Sequence, residues 1–236
     1  MAQGGIGLCG LAAAARHVLG RPESVSARQK PILEGRVSGV RNLRDAYRLW
    51  LDNSAFLHSL ILITILIGTN RPRSRAGRIA TIYAELLAGL GEETQFLDLT
   101  ELPADFTTSA LYNNAGKHDD YNRLAAKLNA SNKLVIIVPE YNASFPGVLK
   151  AFIDGLPYPG GIRGKKAALI GLSDGGQGGL LAMSHLSDIL MYLGTTVLPD
   201  RVRLPFIGKE LTEAGELVNA LPRQLLREQA EALLAF

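Results

Sequence analysis

Three short stretches carry residue types whose spacing suits binding chemistry. Residues 68–74 read GTNRPRS and follow an aliphatic run. Gly68 permits a tight exit from an extended segment, Thr69 and Ser74 offer hydroxyls, and Arg71 offers a guanidinium. Ser74 also stands where the N-cap of a following helix belongs, and helix N-termini favour anions. The stretch therefore suits a terminal phosphate; an N-cap serine beside solvated arginines would use the same residues, and Arg73 and Arg75 can equally face water. Residues 139–147 read PEYNASFPG, rich in turn formers yet carrying Tyr141 and Phe145, which exposed loops usually avoid. Backbone amides and an aromatic there fit a planar ring, and a Pro-bounded turn covering a sheet edge fits as well. Residues 173–179, SDGGQGG, hold four glycines, which allow close approach of a ligand or of another backbone.

Other chemistries find less support. The glycine fingerprints for a dinucleotide, G-x-G-x-x-G, and for a nucleotide triphosphate, G-x-x-x-x-G-K-[ST], are both absent. Hydroxyls with an arginine suit a dianionic monophosphate instead. The four histidines (17, 58, 118 and 185) are far apart, and Cys9 is the only cysteine, so no metal site is expected. His118-Asp119-Asp120 reads as a solvated loop or helix start. No G-x-S-x-G elbow occurs, and Ser144 lacks a recognisable acid–histidine set. Asp98 reads as structural, and Lys150 with Asp154 as an i,i+4 surface pair.

The elements that must position these stretches alternate regularly. Strand-like apolar runs fall at 61–67 (ILITILI), 94–99, 133–138 (KLVIIV), 166–172 (KAALIGL) and 195–198 (TTVL). Helical periodicity falls at 74–90, 121–130, 147–156, 180–193 and 210–236, with 106–116 irregular. Strands apolar throughout must be covered on both faces, the habit of parallel β-α-β sheets. The chain is therefore read as α/β: a flavodoxin-like three-layer sandwich with a five-stranded parallel sheet in the order 2-1-3-4-5. In that order the three unusual loops meet at the carboxyl ends of the strands, where ligands bind.

Charge separates the chain into two parts. Residues 1–60 carry eight Lys/Arg against four Asp/Glu, whereas residues 61–236 carry seventeen against eighteen. The basic pI thus comes from the first part, and the rest has no excess of positive charge to meet a nucleic acid. No apolar run reaches the roughly twenty residues of a membrane helix. Residues 1–60 are read as an N-terminal extension, non-native, mis-annotated at its start or poorly ordered. Glu23, Glu34, Asp45 and Asp52 weaken a transit-peptide reading. A reducing, cytoplasmic setting is compatible with the lone cysteine.

With these residues in place, the chain over roughly 61–200 resembles the NADPH-dependent FMN reductase family. G-T-N-R-P-R-S, P-E-Y-N-A-S-F-P-G-V-L-K and S-D-G-G-Q-G-G carry the resemblance, P-E-Y-N most diagnostically. It implies FMN as cofactor, with its phosphate on Thr69, Arg71 and Ser74. The isoalloxazine would lie along Pro139, Glu140, Tyr141 and Asn142, bordered by Ser173, Gly175 and Gly176. It also implies NADPH or NADH as co-substrate, hydride transfer through flavin N5 with no catalytic side chain, and a quinone, azo compound, free flavin or metal oxyanion as acceptor. A homodimer or tetramer is implied too. A flavodoxin-type electron carrier without its own NAD(P)H turnover, or a non-redox module for a nucleotide monophosphate, would share the fold.

Overall fold

The computed structural model describes residues 62–236 apart from Pro159. The expectations for the first sixty residues, and for a strand beginning at Ile61, lie outside this range. Strand β1 (Ile63–Ile67) is buried at every position and leads to helix α1 (Arg75–Gly89). Next come β2 (Thr94–Asp98), the one-turn helix α2 (Phe106–Ser109), and α3 (Asp119–Asn129). They are followed by β3 (Lys133–Pro139), α4 (Gly147–Asp154), β4 (Lys166–Leu172) and α5 (Leu180–Tyr192). The chain ends with β5 (Thr196–Val197), β6 (Val202–Leu204), the short α6 (Ile207–Glu210) and α7 (Ala220–Ala235).

The sheet runs β2-β1-β3-β4-β5, parallel throughout, in the order that the sequence pattern predicts. Side chains alternate between its faces, and two cores result. Ile63, Ile65, Val135, Ile137 and Ile170 face α1 and α7, against Ile79, Tyr83, Leu87, Leu226 and Leu233. Leu66, Leu134, Ile136 and Leu169 face α3, α4 and α5, against Leu124, Phe152, Met183 and Leu186. Burying one such aliphatic side chain contributes about 1.5–3 kcal/mol. The central strands are therefore a stiff base for the loops that leave them.

Three details differ from the sequence reading. The fifth row is built from two pieces: β5 pairs with the start of β4, and the unanticipated β6 with its end. Pro199, which has no N–H for a ladder, lies in the gap. Gln229 of α7 fills it, donating from Nε2 to the carbonyls of Leu169 (3.0 Å) and Asp200 (2.5 Å). The long last helix is divided, because Gly215 takes a left-handed φ of 88° and α7 starts only at Ala220. The irregular 106–116 segment contains α2 and a single 3-10 turn at Tyr112–Asn114. The Lys150–Asp154 pair forms at 2.7 Å, and Asp98 accepts from the Thr100 N–H (2.9 Å), capping a 3-10 turn.

Candidate functional site

The first loop is shaped by a collision that only glycine avoids. Gly68 donates to the Ile137 carbonyl of β3 (2.9 Å), and a Cβ at this position would lie 2.6 Å from that oxygen. The loop is thereby pinned to the central strand. Thr69 is buried, and its hydroxyl accepts from the Arg71 N–H (3.2 Å) and lies 3.1 Å from the Tyr141 hydroxyl. Ser74 takes the extended N-cap conformation and accepts from the Gly77 N–H (3.1 Å), leaving its own O–H to donate outward. The capping role and an anion-binding role are therefore compatible. Arg71 and Arg73 are exposed, and neither has an acidic partner among the described residues.

The second loop turns on two residues. Tyr141 and Ser144 exchange backbone hydrogen bonds of 2.7 and 3.0 Å, with Asn142 and Ala143 between them at φ of 51° and 62°. Two successive positive φ values are those of a type I′ turn. Asparagine tolerates this; alanine stores about 1–2 kcal/mol of strain there. The two aromatics have different fates. Phe145 packs on the core beside α4 and α5, whereas Tyr141 is 40% exposed and braces the first loop. Glu140 donates its N–H to the Leu172 carbonyl (2.9 Å), and its Oε2 is buried with no partner among the described residues. Ser144 Oγ lies 3.0 Å from His185 Nδ1 on α5, a pairing the sequence did not reveal; no acid completes a triad among the described residues.

In the glycine loop the four glycines divide into two functions. Gly178 and Gly179 have φ of 60° and 75° and press on β4, where a Cβ at Gly179 would stand 2.8 Å from the Gly171 Cα. Gly175 meets open space, and a Cβ at Gly176 would stand 3.3 Å from the Phe206 ring. The Ser173 hydroxyl donates to the Gly175 carbonyl and accepts from the Gly178 N–H, both at 2.8 Å, so it holds the loop's own shape.

These loops enclose a cavity of about 630 Å³, within the ~300–1,000 Å³ typical of small-molecule sites. Thr69, Arg71, Ser74, Pro139, Glu140, Tyr141, Asn142 and Ser173 all line it. Gly175 and Gly176 do not; Gly176 lines a neighbouring apolar cavity of about 1,000 Å³ with Leu204, Phe206, Leu221 and Leu225. That cavity is larger and carries Arg201 and Arg203, also without an acidic partner among the described residues, but the converging hydroxyls and the N-terminus of α1 belong to the smaller one. The sequence reading missed Asp174 and Ile207 in the smaller cavity and left Arg73 and Arg75 undecided. Only the local run of arginines signalled the latter two. For FMN the donor set fits: arginines and the N-terminus of the fifteen-residue α1 for the phosphate, backbone and Tyr141 for the ring. The unpartnered Glu140 oxygen is an acceptor for an N–H or O–H of the ligand.

Comparison with known proteins bears on the family and the fold. Residues 61–207 match the family described as NADPH-dependent FMN reductase. An NAD(P)H-dependent FMN reductase of Pseudomonas aeruginosa is 31% identical over 137 residues, covering 55% of this chain and 74% of that protein. An NADPH azoreductase of a Bacillus species is 27% identical over 169 residues, covering 70% and 89%. Among solved structures, the NAD(P)H:(acceptor) oxidoreductase FerB of Paracoccus denitrificans superposes with a TM-score of 0.62 at 25% identity, covering 74% of this chain and 96% of that one.

Proposed function

The chain belongs to the NADPH-dependent FMN reductase family and is an FMN-dependent NAD(P)H oxidoreductase, and from that premise we propose that the 630 Å³ cavity is its flavin site. The observation that carries this reading is the convergence of unpaired Arg71 and Arg73, the capped N-terminus of α1 and the strained Tyr141–Ser144 turn on one space. FMN, when bound, would supply the redox chemistry of a two-electron transfer from NAD(P)H to an acceptor. The protein's own residues bind and orient. Arg71, Arg73 and the Ser74 hydroxyl hold the phosphate through charge-assisted bonds. The Thr69–Tyr141 contact ties the phosphate loop to the ring loop, so that both ends of the cofactor are held in one register. Glu140 would accept a hydrogen bond from the cofactor, and the backbone of residues 139–142 would hold the ring.

The acceptor is proposed to be a small oxidant such as a quinone, azo compound, free flavin or metal oxyanion. The protein is also proposed to act in the cytoplasm as a homodimer. Exposed Leu181, Met191 and Tyr192 on α5 support the dimer. Among the described residues no helix is long and apolar enough to cross a membrane. An absorption spectrum taken before and after anaerobic NADPH tests the reading. A flavin spectrum that bleaches is expected, while a flavin spectrum that persists would favour an electron carrier. A colourless protein that cannot be loaded with FMN would overturn the site assignment.

A further inference from the structure

Two residues of the cavity form an ion pair across its mouth. Arg75, the first residue of α1, donates from Nη1 to both carboxylate oxygens of Asp174 in the glycine loop, at 2.7 and 3.0 Å. Both residues line the cavity, and both side chains are substantially exposed, 48% and 73%. Gly208 of α6 leaves room for the pair: a Cβ there would lie 2.9 Å from Asp174 Oδ1 and 3.1 Å from Arg75 Nη2. Asp174 makes no other hydrogen bond among the described residues. A carboxylate at the rim of a space otherwise suited to an anion works against anion binding twice. Its charge repels the ligand, and it occupies a guanidinium one residue from the N-cap.

Resting on the flavin reading of the cavity, we propose that Asp174 sets the affinity for the cofactor's phosphate by holding Arg75 in this pair, so that of the three arginines only Arg71 and Arg73 serve the anion. Asp174 is then a positioning residue that acts through Arg75. An exposed ion pair and an exposed arginine–phosphate contact are of similar size, and both are screened by salt, so the pair offsets what Arg75 would gain from the anion, and removing the carboxylate makes that contact available.

The test is a titration of the apoprotein with FMN and, separately, with riboflavin, which has the ring and ribityl chain but no phosphate. Quenching of flavin fluorescence reads both affinities at low salt. Asp174→Asn is expected to tighten FMN about threefold to fivefold, the size of one exposed ion pair, and to leave riboflavin unchanged. Arg75→Ala alone is expected to change FMN affinity by less than about twofold, because the pair already withholds that guanidinium. The double variant should lose most of the gain, and high salt should erase the difference between Asp174→Asn and wild type. Three outcomes would overturn the proposal: a gain that survives with alanine at 75, a gain shared by riboflavin, or weaker FMN binding by Asp174→Asn. Wild-type protein that binds FMN no more tightly than riboflavin would instead remove the phosphate site itself.

Discussion

The two ends of the sheet are both cationic, and they use positive charge in different ways. At the amino end, Lys133 and Lys165 are each 8% exposed. Lys133 donates to the Leu234 carbonyl of α7 (2.7 Å) and Lys165 to the Ser131 carbonyl (2.5 Å), while Lys166 donates to the Phe236 carbonyl. Two of these ammoniums, Lys133 and Lys166, meet carbonyls at the end of α7, which the helix leaves without internal partners. At the carboxyl end, Arg71 and Arg73 stand in solvent with no acidic partner among the described residues, beside a left-handed turn and a Glu140 oxygen likewise unpartnered among them. At the amino end the lysine charges are used by the fold, and at the first loop the arginine charges are left free beside a cavity that also gathers hydroxyls and a helix N-terminus.

The largest expected effect blurs this division on purpose. Gly68→Ala lies at the carboxyl end, yet its Cβ would meet backbone rather than a movable side chain. A loss of about 2–3 kcal/mol, the upper range for overpacking, is expected in urea unfolding, together with weaker flavin binding. Full stability with intact flavin binding would mean that β1 and β3 can separate at their ends. Arg71→Ala comes next and sharpens the contrast. It should weaken FMN by about 1.5–3 kcal/mol, the size of a hydrogen bond to a charged group, and leave the melting temperature unchanged. A variant that melts earlier but retains FMN would move Arg71 from the ligand side of the comparison to the fold side.

Much of this was legible in the sequence, because its signals are local. The apolar runs of β1, β3 and β4 and the Ser74 cap are visible within a few residues, and the strand order places three loops at one edge. Pairings made at long range were not legible. Arg75 and Asp174 are 99 positions apart, and neither has a local pattern that implies the other. The break in the fifth row escaped notice because β6 is three residues long and its repair comes from Gln229, on the last helix. Gly175 and Gly176 show the limit of reading glycine loops. The loop is rich in glycine partly because Gly179 presses on Gly171 and Gly178 on the Arg203–Pro205 segment.

The smallest effect tests the amino end by pH. Burial lowers the pKa of Lys165 below its ordinary value, so folding disfavours the charged ammonium. The folded state then binds fewer protons than the unfolded state between the lowered value and the ordinary one near ~10.4. In that window stability rises with pH, because the penalty is present in full below the folded pKa and vanishes above the unfolded one. Lys165→Met keeps the apolar stem and removes the titrating group. Comparing urea midpoints of the two proteins at roughly pH 8 and roughly pH 10.5 cancels the titration of most other groups. Wild type should gain on the variant as pH rises. A difference that stays level would mean that the Ser131 carbonyl compensates the ammonium fully, and a wild type that loses ground to the variant as pH rises would mean that the charged form is favoured in the fold. Either result would break the contrast from the lysine side, because Lys165 would then hold its charge as freely as the arginines at the opposite edge.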